Sequence, residues 1–353
     1  MSGPAPASRQ NLSRQFGSTV VMGTVGLLSR TFLYGFNNVE VTGLENLLGT
    51  LDRRRDQRRE RGLLTVCNHV AVTLPNSKDG SIDDPLIWGI LPLRYAFNPR
   101  NLRWGLGAHD ICFKNKLLSN FFSLGQVLPT HRLWHSSLGG LYQPTMTQAI
   151  GLLSGPRQAA ADSKEMVYST DGEDSYAAPA AYVANRAAWV HVFPEACCHQ
   201  NPENTLRYFK WGVSRLILES DPAPEFIPMF IHGTQDIMPE DRGFPRFLPR
   251  IGKTLRVVIG KPTDVDALFG QERAAWKQLA ERGDPELLKN GTEAVQLRIR
   301  IAKSVRDEVG KLRESIGLPP EDDETAAFAD TWLKEPNKRK FKSPVDGSLV
   351  NRA

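Results

Sequence analysis

The chain has 353 residues, 41% of them hydrophobic and 24% charged, a globular composition with length for one large core or two modest ones. Its formal charge of +5 favours anionic partners such as nucleic acid or anionic lipid. The basic stretches lack interleaved aromatic residues, which excludes a nucleic-acid binder of the stacking kind, and the four cysteines make no disulfide framework.

Residues 1–39 contain no Asp, Glu or Lys, only Arg9, Arg14 and Arg30 among Ser, Gly and apolar residues, the composition of a mitochondrial targeting segment. The uncharged run from Phe16 to Ser29 is shorter than the roughly 20 residues a membrane span needs. With Gly17, Gly23 and Gly26 inside it, the run predicts a helix lying in one leaflet, the alternative being an amphipathic helix buried in the protein. Asp52–Arg61 sets six arginines against three acids, and reads as a solvated loop or as a contact with anionic headgroups.

Five short apolar or alternating runs follow: Leu63–Cys67, Gly125–Leu128, Trp189–Phe193, Phe226–Ile231 and Leu255–Ile259. Each is closed by Gly, Pro, His or Asn, and each predicts a strand. Helical stretches intervene, the clearest being Leu206–Ser220, so the pattern is α/β, a sheet with helices against its faces. Roughly residues 154–187 show no period and read as a long insertion or mobile loop. Further on, Leu297, Ile301, Val305, Val309, Leu312 and Ile316 recur at helical spacing behind a capping box of Asn290 and Glu293. After Leu318 the chain turns polar and ends on the basic cluster Lys338–Lys342, the composition of a disordered tail.

The residues able to do chemistry gather after strands. His69 follows Leu63–Cys67 and should emerge at a strand end, where α/β sheets carry their sites. Asp83-Asp84-Pro85 is a helix start, with Asp84 as cap and Pro85 at the first helical position. A carboxylate against an imidazole fixes one tautomer and stabilises the imidazolium, which suits activation of a hydroxyl for attack on an acyl carbonyl. Arg132 suits a phosphate, and Glu195 suits a glycerol hydroxyl or Arg132 itself. Cys197 and Cys198, with His191 and His199, suggest a metal site, but no second cluster has ligand spacing. No Gly-rich phosphate loop, Gly-x-Ser-x-Gly elbow or His-Glu-x-x-His occurs, so direct transfer is a simpler account than a covalent serine.

Asp83–Leu91, Arg103-Trp104, Asp110–Lys116, Phe121–Pro129, Leu206–Gly212, Phe244–Phe247 and Ile259–Pro262 together resemble the tafazzin family, within the glycerolipid acyltransferase superfamily. The resemblance runs from about Phe16 to Pro262. It implies a glycerolipid-acyltransferase-like domain at 41–265, a mixed sheet flanked by helices, with an N-terminal interfacial membrane segment at 1–40. Residues 266–318 would be C-terminal helices and 319–353 the tail. It also implies phospholipid–lysophospholipid transacylation that remodels cardiolipin, with phosphatidylcholine and monolysocardiolipin as partners. The place would be the mitochondrial outer and inner membranes facing the intermembrane space, with no acyl-CoA, no metal and no other cofactor.

By the same resemblance His69 is the base, Asp83 its acid, Arg132 the phosphate ligand, and Phe193-Pro194-Glu195 the third motif. The family places four residues between its His and Asp, whereas thirteen separate His69 from Asp83. Looping out Val72–Gly80 restores the spacing with Asp83, at a closure cost growing by about 0.6 kcal/mol per doubling of length; aligning on Ser81 nominates Asp84. Ala196 stands where the family has Gly, so a positive φ there would be strained. The rival functions are an acyl-CoA-dependent acyltransferase and a membrane-binding homologue disabled by the extra residues.

Overall fold

The computed structural model describes residues 9–56, 59–70, 83–133, 135–155, 167–179, 187–201, 203–241, 244–245, 247–334, 341–342 and 349–350. Its strands are β1 (Asn38–Thr42), β2 (Leu63–Cys67), β3 (Arg103–Ala108), β4 (Val127–Thr130), β5 (Val167–Tyr168), β6 (Tyr176–Ala177), β7 (Trp189–Val192), β8 (Glu225–His232), β9 (Thr254–Ile259), β10 (Thr263–Asp264), β11 (Phe341–Lys342) and β12 (Leu349–Val350), the last two pairing only with each other. The main sheet has the order β1-β9-β8-β2-β7-β3-β4, with β10 paired to β8. β2, β3, β4, β7 and β8 run parallel, β9 is antiparallel to β8, and β1 lies parallel to β9. The expected mixed α/β sheet is therefore present. The run read as Gly125–Leu128 begins two residues later, because Gly125 and Gln126 make the turn out of the preceding helix.

The helices are α1 (Arg9–Phe36), α2 (Leu44–Asp56), α3 (Asp83–Ile87), α4 (Lys116–Leu124), α5 (Pro144–Leu153), α6 (Gly212–Glu219), α7 (Val265–Glu281), α8 (Pro285–Asn290) and α9 (Thr292–Ser315), with shorter turns between. β2 sits in the middle of the sheet and all of its residues are buried. Leu63 and Cys67 face a core shared with Leu33 of α1 and Leu47 and Leu51 of α2. Leu64 and Val66 face the other core, which holds Leu153 of α5, Leu216 of α6, Trp276 of α7 and Ile301 of α9. A strand covered on both faces reads as a continuous apolar run rather than an alternating one.

The C-terminal helices thus share the core of the sheet. Their buried arginines tie down loops. Arg298 donates to the Leu288 and Lys289 carbonyls at the end of α8, which the short helix cannot satisfy internally. Arg306 donates to the Leu206 and Arg207 carbonyls and pairs with Glu321. These bonds explain why the helix expected over Leu206–Ser220 starts only at Gly212: the backbone of Leu206 and Arg207 is tied to groups outside it, and residues 206–210 form no helix. The expected capping box is also replaced. Asp284 caps α8, Asn290 ends that helix bonded to Glu286, and Gly291 leads into α9.

Two segments expected to lack structure have an ordered part. Within the insertion, β5 and β6 form a hairpin that buries Tyr168 and Tyr176 and sets Asp174 against His109 at 3.0 Å. In the tail, Glu321 pairs with Arg306, and Trp332 packs edge-on to His199 with ring centroids 5.2 Å apart. The side chains of Lys338–Lys342 and the segment Val72–Gly80 lie outside the described residues.

α1 is longer than its uncharged run suggested. Leu12–Phe36 is 25 residues with mean hydropathy 1.2, long and apolar enough by length and composition to cross a membrane. Its buried positions are Ser18, Gly23, Gly26, Ser29 and Leu33, while Leu12, Phe16, Leu28 and Phe36 are exposed. Small residues face the domain because the approach is close: a Cβ at Gly23 would meet the Phe97 ring at 2.3 Å. Arg30 is pinned to the carbonyls of Gly89, Ile90 and Leu91.

Candidate active site

The site forms at the C-terminal ends of the parallel strands. Asn68, just past β2, pairs with Ile231 of β8 as a strand residue would, its amide donating to the Ile231 carbonyl at 2.9 Å and its oxygen accepting from the Ile231 N–H at 2.8 Å. That bond fixes where the chain leaves the sheet and hence where His69 stands. The segment after β7 then wraps around His69. Phe193 stacks on its ring at 4.5 Å between centroids, Glu195 Oε1 accepts from its backbone N–H at 3.0 Å, and the N–H of His199 donates to its carbonyl at 2.8 Å.

Asp83 opens α3, and its Oδ2 lies 3.1 Å from His69 Nδ1 and 2.6 Å from the N–H of Val70. A carboxylate only accepts, so Nδ1 carries the proton and Nε2 is left to take one. Asp83 is fully buried, whereas His69 keeps 16% of its side chain exposed. Burial pulls the His69 imidazole down. The sulfur of Cys198, hydrogen-bonded to the ring, and the Asp83 carboxylate push the other way and prevail, leaving it well above the usual histidine value. The thirteen intervening residues therefore leave the ends of the segment, Val70 and Asp83, in direct contact.

Asp84 is turned elsewhere. It accepts from Arg103 at 2.9 Å and from the indole of Trp88 at 3.1 Å, and Arg103 lies over the Trp88 ring. Burial works to raise its carboxyl, but Arg103 outweighs it and holds Asp84 below the usual range. Behind the site, Trp189 donates to Thr65, which leaves the Thr65 hydroxyl to donate to His191 Nδ1 at 2.7 Å. Burial drives His191 down to about 3, so this imidazole is neutral and structural.

Glu195 is 1% exposed. Its second oxygen accepts from the N–H of Arg207 at 3.1 Å, so both oxygens serve the backbone and neither is held out to a substrate. Burial pushes its carboxyl up to about 7. Pro194 accepts from the N–H of Lys210 at 2.8 Å. Arg132 follows β4 and pairs through two nitrogens with Asp110, which follows the neighbouring β3. Burial raises the Asp110 carboxyl, but Arg132 outweighs it and holds it low. Arg132 is also within electrostatic reach of Lys210, beside the loop that wraps His69.

His69, Asp83, Phe193 and Glu195 are thus brought into contact, and Arg132 stands past β4, paired with Asp110. Cys197, Cys198, His191 and His199 do not gather as ligands: Cys197 bonds Arg207, Cys198 the His69 ring, His191 Thr65, and His199 Asn201. Ala196, where a glycine was expected, takes φ 53°. Sequence reasoning assigned no role to Asn68, Asp110 or Arg207, and read Cys198 only as a candidate metal ligand. Asp110 follows β3, a strand that the apolar runs did not mark.

A buried acid–imidazole pair, His69 with Asp83, and a second ion pair, Arg132 with Asp110, both follow strands of one mixed sheet. The family model described as Acyltransferase matches residues 38–232. The chain is 36% identical over 342 residues to tafazzin of Saccharomyces cerevisiae, covering 92% of this chain and 84% of that one. It is 30% identical over 250 residues to taffazin of Dictyostelium discoideum, covering 70% and 69% of the two chains. It is also 30% identical over 214 residues to an N-acylphosphatidylethanolamine synthase of Arabidopsis thaliana, covering 60% and 59%. The chain belongs to the acyltransferase family, on its tafazzin branch, and is an acyltransferase.

Proposed function

We propose that the chain moves fatty acyl groups from a phospholipid to a lysophospholipid without acyl-CoA, remodelling cardiolipin on mitochondrial membranes. The observation that carries this reading is the contact of His69 with Asp83 across thirteen intervening residues. His69 takes the proton of the acceptor hydroxyl, and Asp83 orients the ring and stabilises the imidazolium. Arg132 exchanges its Asp110 partner for a lipid phosphate, for which its planar fork is suited. Phe193 holds the imidazole plane. Pro194 and Glu195 keep the loop in place, so Glu195 is a positioning residue. The donor is phosphatidylcholine, the acceptor monolysocardiolipin, and no cofactor is needed.

The large apolar side chains on the outer face of α1 suit a lipid surface, and the net charge suits an anionic one. The reading therefore has the protein seated on the outer and inner membranes from the intermembrane space. His69→Ala is expected to lower transfer from phosphatidylcholine to monolysocardiolipin in liposomes by about 10²–10⁴-fold while vesicle flotation is unchanged. Wild-type rates in that variant would remove His69 from the mechanism. Transfer from labelled acyl-CoA in vesicles lacking a donor phospholipid would replace the transacylase reading with a CoA-dependent one.

A further inference from the structure

We propose that Cys198 is a covalent acyl carrier: its sulfur takes the acyl group from the donor lipid as a thioester and passes it to the acceptor. The proposal rests on the acyl-transfer reading above and deepens it. The Cys198 thiol is hydrogen-bonded to the His69 ring, whose Nδ1 is 3.1 Å from Asp83. Cys198, His69 and Asp83 therefore form the series of nucleophile, base and orienting acid that activates a thiol for acyl chemistry.

The placement is enforced by the backbone. The N–H of His199, the next residue, donates to the carbonyl of His69 at 2.8 Å, and Glu195 and Phe193 fasten the other end of the same loop to His69. Cys198 is only partly buried, unlike Cys67, which is wholly enclosed in the core. Cys197 turns away to Arg207. A thiol delivered by the loop after β7 needs no nucleophile elbow, whose absence was the reason to expect direct transfer.

The steps balance. The Cys198 proton passes to His69, and the thiolate attacks the ester carbonyl of the donor phospholipid. The carbon–oxygen ester bond breaks, the departing lysophospholipid oxygen takes the proton back from His69, and an acyl thioester remains on Cys198. The acceptor lysophospholipid then gives its hydroxyl proton to His69 and attacks the thioester. The carbon–sulfur bond breaks, the thiolate regains its proton, and the new phospholipid leaves. The two lipids occupy the site in turn, and the thiol does within the protein what a free thiol carrier would do outside it.

The test uses the full chain in vesicles of phosphatidylcholine bearing a labelled acyl group, without acceptor, quenched in acid. The label should appear on the protein, map to Cys198 by mass and be released by neutral hydroxylamine, and it should be absent from Cys198→Ala and His69→Ala. With monolysocardiolipin added, wild-type initial rates should give the parallel double-reciprocal lines of a ping-pong reaction, and Cys198→Ala should lose transfer by at least about a hundredfold. Cys197→Ala should keep its activity. Cys198→Ser, nearly isosteric, should melt with the wild type and carry no hydroxylamine-labile label, which separates chemistry from folding. A Cys198→Ala protein that transfers within threefold of wild type, while His69→Ala is inactive, overturns the carrier and leaves acyl transfer standing. A wild-type protein that transfers from no phospholipid donor overturns both.

Discussion

Ala196 is exposed and holds φ 53°, a left-handed conformation that costs a residue with a Cβ about 1–2 kcal/mol. Ala196→Gly is therefore expected to stabilise the chain by about 1 kcal/mol, partly offset by the freer unfolded chain, and to raise the urea midpoint. An unmoved or lowered midpoint would contradict the strain. Glu195 makes a second test at this scale. The folded carboxyl keeps its proton up to about 7, against 4.5 for the ordinary group. Between those values the folded chain binds more protons than the unfolded one, so stability falls as the pH rises. This contribution is full below the lower value and lost above the upper. Glu195→Gln should flatten that fall when urea midpoints at about pH 5 and about pH 7.5 are compared, and parallel curves for the two proteins would refute it. The placement of His69, Arg132 and Glu195 just after strands was legible in the sequence. Asn68 was not, because its partner Ile231 lies 163 positions away.

Elements were legible where one force dominates. β2, enclosed on both faces, matched its apolar run end to end. The stripe on α9 gave a helix, but Arg298, Arg306 and Arg313 sit among its buried positions, and no spacing rule says that a buried arginine will find the carbonyls of a loop. Residues 206–210 were misread for the same reason: their apolar pattern suits a helix, but Glu195 and Arg306 hold the Leu206–Arg207 backbone from outside. The stretch between Val70 and Asp83 gives the test at this scale. Its ends already touch through the Val70 N–H and the Asp83 carboxylate. Deleting Val72–Gly80 should leave transfer within about threefold of wild type and add about 1 kcal/mol of stability through the shorter closure. Loss of activity with the fold retained would show that the extra residues take part in the reaction.

On the scale of the whole molecule, the sheet, its helical layers and the strand-end location of the site were readable from alternation, breakers and chain order. The side of the protein that meets its surroundings was harder to read. Gly17, Gly23 and Gly26 look like flaws in a helix, yet Gly23 and Gly26 lie on the face that meets the domain, while Leu12, Phe16, Leu28 and Phe36 point away. Hydropathy records how apolar a helix is and says little about which side the protein itself covers.

The outward face of α1 also bears on how such an enzyme meets its lipids. A catalyst held on a bilayer samples molecules sharing its own two-dimensional sheet, so its turnover follows the mole fraction of acceptor in that sheet and not the quantity of vesicles in the tube. Inert lipid then acts as a diluent, and neighbouring membranes are separate reservoirs until the protein hops or the bilayers fuse.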